Sequence, residues 1–251
     1  MAVYRSSDRW FFRGFPFSGV TQVLVGIVFL VLPLGTYVSY FKFLADYAFV
    51  FDWLKTFIGV VFLSLGTLET LLYFIRFTSS KVYNSNLQDV VEQILTEVKR
   101  TGSSVLGTFL SFRPWMSGEY YVKTEKGVPR YFFPTYLVVL YTEGGNLVVR
   151  EYLLHIRNKT YEVVGYHVCP ISRIVSVGLT QDRLVFDTGT ESVGATVDFF
   201  EVRTEGGSFR VPIFEEEILS SYGNIGTLKE EMISKVSLII KLLLSSKGAK
   251  E

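Results

Sequence analysis

Residues 14–41 carry no charge, and their apolar centre, 20–38, is long enough for a helix crossing roughly 30 Å of hydrocarbon. A second apolar stretch lies between Lys55 and Arg76, interrupted by one charge at Glu69. At about 1.5 Å per residue it too matches the bilayer core. Two such spans predict a membrane hairpin that turns through residues 43–53, where Asp46, Tyr47, Asp52 and Trp53 suit the lipid interface. A cleaved signal peptide is the competing reading of the first span. Against it stand a stretch longer than the usual apolar region and the absence of a small-x-small cleavage pattern.

The period then changes. Leu87, Val90, Val91, Ile94, Leu95 and Val98 fall at helical spacing, with Asn84 or Ser85 placed to cap the helix and Gly102 to end it. Residues 103–127, which hold Pro114, Gly118 and the aromatics Phe109, Phe112, Trp115, Tyr120 and Tyr121, read as irregular chain or short strands near the membrane. Alternation and turn chemistry next predict seven strands: 131–141, 147–157, 161–169, 171–179, 183–186, 196–203 and 208–214. A last helix opens with the capping-box sequence Thr227-Leu228-Lys229-Glu230 and runs to about residue 246, with Ile233, Val236, Ile240 and Leu243 on one side. The predicted divisions are 1–17, a cytoplasmic lead segment; 18–77, the hairpin; 78–129, the amphipathic helix and aromatic linker; and 130–251, an antiparallel β domain closed by a helix.

Charge sets the orientation. Arg5, Arg9 and Arg13 precede the first span and Arg76, Lys81, Lys99 and Arg100 follow the second, whereas the turn offers only Lys42 and, at its edge, Lys55. By the positive-inside rule this is a multi-pass protein of the cell membrane with both termini and the soluble domain in the cytoplasm. The sequon Asn158-Lys159-Thr160 would matter only with the opposite topology. Mean hydropathy is +0.31 over 251 residues, and the apolar excess is gathered in the first third. Six of 25 Lys and Arg and four of 24 Asp and Glu precede Phe77, so the remainder is near neutral and lacks a basic field for nucleic acid.

Small residues recur every seven positions, as Gly19, Gly26 and Pro33 on the first span and Gly59 and Gly66 on the second. Such stripes let two backbones approach in lipid. Glu69 lies about 10 Å along the helix from Arg76, where a carboxyl group is costly unless neutral or paired. Its structural reading is a hydrogen bond to Gln22 or Thr21. The functional alternatives are an ion or proton pathway built on Glu69 and Gln22, or contact with another subunit.

Little else looks reactive. The single Cys169 forms no intramolecular disulfide, and His167 shares a strand face with it, too few ligands for a usual metal site; His155 stands apart. Glu215-Glu216-Glu217 reads as the acidic first turn of a short helix. The chain has no phosphate-binding glycine loop, no dinucleotide fingerprint, no His-Glu-x-x-His and no Gly-x-Ser-x-Gly. Lys229, Lys235, Lys241, Lys247 and Lys250 accompany Leu238, Ile239, Leu242 and Leu244 on the last helix, more apolar surface than one packed face needs, which suggests oligomerisation or contact with anionic lipid.

The order of elements, with Ile171-Ser172-Arg173-Ile174-Val175-Ser176-Val177 and Asp198-Phe199-Phe200-Glu201-Val202-Arg203-Thr204-Glu205-Gly206-Gly207, resembles the prokaryotic pleckstrin-homology-like domains that follow paired membrane helices. The resemblance covers roughly residues 130–245. It implies a seven-stranded bent sheet or barrel with a C-terminal helix, acting in binding or assembly. It does not imply phosphoinositide recognition, because the first hairpin turn has no Lys and Arg cluster. The expectation is therefore a membrane-anchored, non-enzymatic scaffold without a cofactor, binding itself, another protein or lipid headgroups. The alternatives are a channel or transporter subunit using Glu69 and Gln22, and an enzyme with a site in residues 109–121.

Overall fold

The computed structural model describes residues 8–41, 43, 45–189 and 191–248. Arg5, Lys42 and Lys250 lie outside the described residues, as does the side chain of Lys247. The chain divides into two compact units, Arg13–Thr78 and the remainder. A single-turn helix, α1 (Arg9–Phe12), belongs to the second of these.

The helical unit comprises α2 (Phe17–Val31), α3 (Leu34–Ser39), a 3-10 turn (Ala45–Tyr47) and α4 (Ala48–Arg76). The first predicted span is thus broken in two. Pro33 has no N–H to donate and pushes the residue before it out of the helical region, and Leu32 is extended at ψ 123°. The Leu32 carbonyl left over at this break accepts from Lys55 Nζ across the hairpin. Among the described residues α4, at 29 residues, is the one helix long and apolar enough to cross a membrane; α2 is apolar but only 15 residues long. These helices point to membrane association.

The other unit is α+β. Its first long helix, α5 (Ser80–Arg100), starts earlier than the sequence suggests, because Ser79 Oγ accepts from Val82 N and caps it. Asn84 is therefore inside the helix, and its amide donates to Tyr131 Oη. The helix ends where Gly102 takes a left-handed φ of +74°.

Nine strands follow among the described residues, where the sequence predicts seven. They are β1 (Ser104–Phe112), β2 (Tyr121–Glu125), β3 (Val128–Phe133), β4 (Thr135–Glu143), β5 (Asn146–His155), β6 (Thr160–Pro170), β7 (Ile174–Asp187), β8 (Ser192–Thr204) and β9 (Gly207–Glu215). Among the described residues they form three antiparallel sheets, β1-β4-β5-β6, β2-β3 and β7-β8-β9, and no closed barrel. Residues 103–127 supply β1 and β2, joined through a 3-10 turn at Pro114–Met116. The strand predicted at 131–141 splits at Pro134 into β3 and β4. Conversely, the two predicted at 171–179 and 183–186 are one strand, because β8 pairs with β7 without a break from Ser176 to Asp187. Helices α6 (Glu217–Tyr222) and α7 (Gly226–Gly248) end the chain.

The inner strands of the four-stranded sheet, β4 and β5, are buried on both faces, while β6 at its edge is largely exposed. Val90, Ile94 and Val98 of α5 cover one face, meeting Leu137, Val139, Tyr141, Val148 and Tyr152. The opposite face, with Val138, Leu140, Leu147 and Val149, packs against the three-stranded sheet and against Met232, Val236, Ile239 and Leu243 of α7.

Candidate functional site

A cleft of about 490 Å³ opens in the sheet unit between α5, β1, the β2-β3 hairpin, β9 and α7. That volume lies within the range of small-molecule sites. Phe109, Phe112, Leu137, Ile213 and Met232 form its walls, while Asn84, Glu125, Arg130 and Lys235 contribute polar groups. Glu215, the last residue of β9, also lines it, yet its side chain is fully buried. Its two oxygens accept from Ile218 N at 2.8 Å and Leu219 N at 3.0 Å, capping α6. Burial pushes this carboxyl up to about 7, against the lowering effect of those amides. Of the acidic run 215–217, only Glu217 stands in the first turn of the helix, and Glu216 precedes it.

A second polar cluster lies between the two larger sheets. Arg113, buried after β1, pairs with Glu151 of β5, donates through Nε to Ser111 Oγ and through Nη2 to the Pro212 carbonyl on β9 at 3.0 Å, and lies over the Tyr136 ring. The other Glu151 oxygen is 3.2 Å from His167 Nε2, and the imidazole stacks on Phe209. Gly165 faces Glu151 across the ladder, and a Cβ there would collide with the carboxylate. The Arg113 guanidinium and both Glu151 oxygens are directed at other members of the fold. His167 and Cys169 share a face, but no group of three or more metal-binding side chains exists among the described residues.

In the helical unit the glycines sit at helix contacts. A Cβ on Gly26 would lie 2.7 Å from Leu63 N and 2.8 Å from the Gly59 carbonyl. One on Gly66 would strike the Gly19 carbonyl and come within 2.9 Å of Gln22 Cβ. Glu69 Oε1 accepts from Ser18 Oγ at 2.8 Å, one helical turn from Gln22, while Thr21 donates to the carbonyl of Phe17.

Two features escape a pattern reading. The first is a clip at the beginning of the described chain: Asp8 accepts from Ile156 N at 3.0 Å and Arg157 N at 2.6 Å, Arg9 pairs with Glu119, and Phe11 stacks on Tyr83 with ring centroids 4.1 Å apart. A four-residue helix shows no period, so only the Asp and the paired aromatics signal it. The second is a run of exposed apolar residues on β6 and β7, including Val163, Val164, Tyr166, Val168, Val175 and Val185. No protein-family model, curated protein or solved structure matches this chain.

Proposed function

We propose that this protein is a membrane-anchored assembly module: an apolar helical hairpin fixes the chain in the bilayer, and the sheet unit binds protein. The exposed apolar surface of β6 and β7 carries this reading, because soluble surfaces rarely leave neighbouring valines and tyrosines on long outer strands uncovered. The fold supports a pleckstrin-homology-like relation through a four-stranded and then a three-stranded antiparallel sheet with a helix after them; the β2-β3 hairpin is extra. In this reading α2 and α3 together complete the first membrane crossing, with Pro33 as the break and Lys55 bridging it. Arg9, Arg13 and Arg76 at the ends of the hairpin support, in this reading, a cytoplasmic sheet unit by the positive-inside rule. The hydrogen bond from Ser18 likewise supports a structural role for Glu69 within the hairpin.

The test is the mass and composition of the full-length protein taken from its native membrane in mild detergent. A particle heavier than one chain, or a stoichiometric protein companion, is expected. A bare monomer with no companion would overturn the proposal.

A further inference from the structure

β6 is an outer strand of its sheet. Outer strands present unpaired N–H and C=O groups, and natural sheets usually guard them with lysines, other charges, prolines or bulges. Between residues 160 and 172 this one has no Lys or Arg; its guards are Glu162, one bulge and Pro170 at its end. Its ladder to β5 pairs Gly165 with Glu151 but Val163 with Tyr152, so Val164 is one extra residue. Side chains alternate along a strand, and the extra residue resets the alternation. Tyr161 and Val163 before it therefore share a face with Tyr166 and Val168 after it. On that face Val163, Tyr166 and Val168 are 58%, 54% and 47% exposed, beyond the area that α5 covers.

The reset makes the strand self-complementary about the midpoint between Val164 and Gly165. Val163 mirrors Tyr166, Tyr161 mirrors Val168, and Glu162 mirrors His167. In an antiparallel pairing of two copies these become directly opposite residues. Aromatic groups then meet valines on one face; on the other Glu162, whose Oε1 is 3.2 Å from His155 Nε2, comes opposite His167, whose Nε2 is 3.2 Å from Glu151 Oε1, each pair occurring twice. Such cross-strand pairs stabilise sheets, and identical patches related by a twofold axis are the commonest route to a dimer.

We propose that β6 pairs antiparallel with β6 of a second copy about that midpoint, joining two four-stranded sheets into one of eight. This rests on the assembly-module reading and names its partner. Because directly opposite Cβ atoms lie about 4.5–5.5 Å apart, near the reach of a disulfide, the register is open to chemical test.

Full-length Val163→Cys and full-length Tyr166→Cys, the latter with a longer tag, are mixed in mild detergent and oxidised. The mixed covalent dimer is expected in clear excess over either homodimer, and Val185→Cys on β7 is expected to give no covalent dimer. Cys169 is buried and stays in place. Independently, Tyr166→Lys is expected to lower the particle mass without lowering the melting temperature of the sheet unit. If the wild type is assembled yet mixed dimers are not favoured and Tyr166→Lys leaves the mass unchanged, the β6 pairing is overturned while the assembly reading stands. If the wild type is a bare monomer, both fall.

Discussion

Glu215 is a carboxyl group in a place that disfavours its charge. Its folded-state value of about 7 lies above the ordinary 4.5, so the protonated form is the one the fold prefers. The unfolded chain releases this proton near pH 4.5, whereas the folded one holds it to about 7. Stability from this group is therefore full below about 4.5 and is lost as pH rises to 7. At about 1.4 kcal/mol per pH unit the loss is on the order of 3 kcal/mol. Glu215→Gln removes the charge but keeps only one of the two oxygens that accept from Ile218 N and Leu219 N. Denaturant unfolding should find the stability of wild type, but not of the variant, falling between about pH 4.5 and 7, so that the variant gains on wild type as pH rises. Gly165 makes a different demand, for space. Gly165→Ala pushes on the Glu151 carboxylate and separates it from Arg113, leaving a buried charge poorly paired. A loss of about 3–5 kcal/mol is expected, read as a lower unfolding midpoint at unchanged slope.

At the scale of elements, the hairpin depends on close backbone approach. Gly66→Leu has no room against the Gly19 carbonyl and Val23 N, so α2 and α4 must move apart. The Ser18–Glu69 contact reports on this: Ser18→Cys with Glu69→Cys should be joined by a short bis-thiol crosslinker, and adding Gly66→Leu should abolish the product. If crosslinking persists, the glycines do not set the helix spacing. α5 was legible because a 3.6-residue period is strong over five turns, and Val90, Ile94 and Val98 are all buried. Strand boundaries were less so. A two-residue alternation over five residues is a weak signal, hence β1 and β2 were hidden among aromatics. The polar Thr180, Gln181 and Asp182 resembled a turn although pairing with β8 carries the strand through them. Hydropathy averages over Pro33 and so predicts a continuous first span, where the backbone breaks at Leu32.

On the scale of the molecule, the clip formed by Asp8, Arg9 and Phe11 means that the chain leaves the sheet unit beside the point where it returns as α5, since Phe11 stacks directly on Tyr83. Phe11→Ala removes a buried ring and is expected to cost the sheet unit about 3–5 kcal/mol, seen as a lower melting temperature in detergent. Beyond the Asp and the paired aromatics the sequence carries no sign of this clip, because tertiary contacts between residues 8–12 and 156–157 leave no local pattern. The cleft and the Arg113–Glu151–His167 cluster were equally hidden: their members come from strands distant in sequence, and no spacing rule joins them. What composition did reveal is the division into an apolar hairpin and a balanced sheet-rich unit. That division is tested most directly by washing native membranes with alkaline carbonate and following the full-length protein. It should stay with the sedimented bilayer, as a chain held by lipid-embedded helices must. Recovery of the protein in the supernatant would show that residues 17–76 are not membrane-inserted.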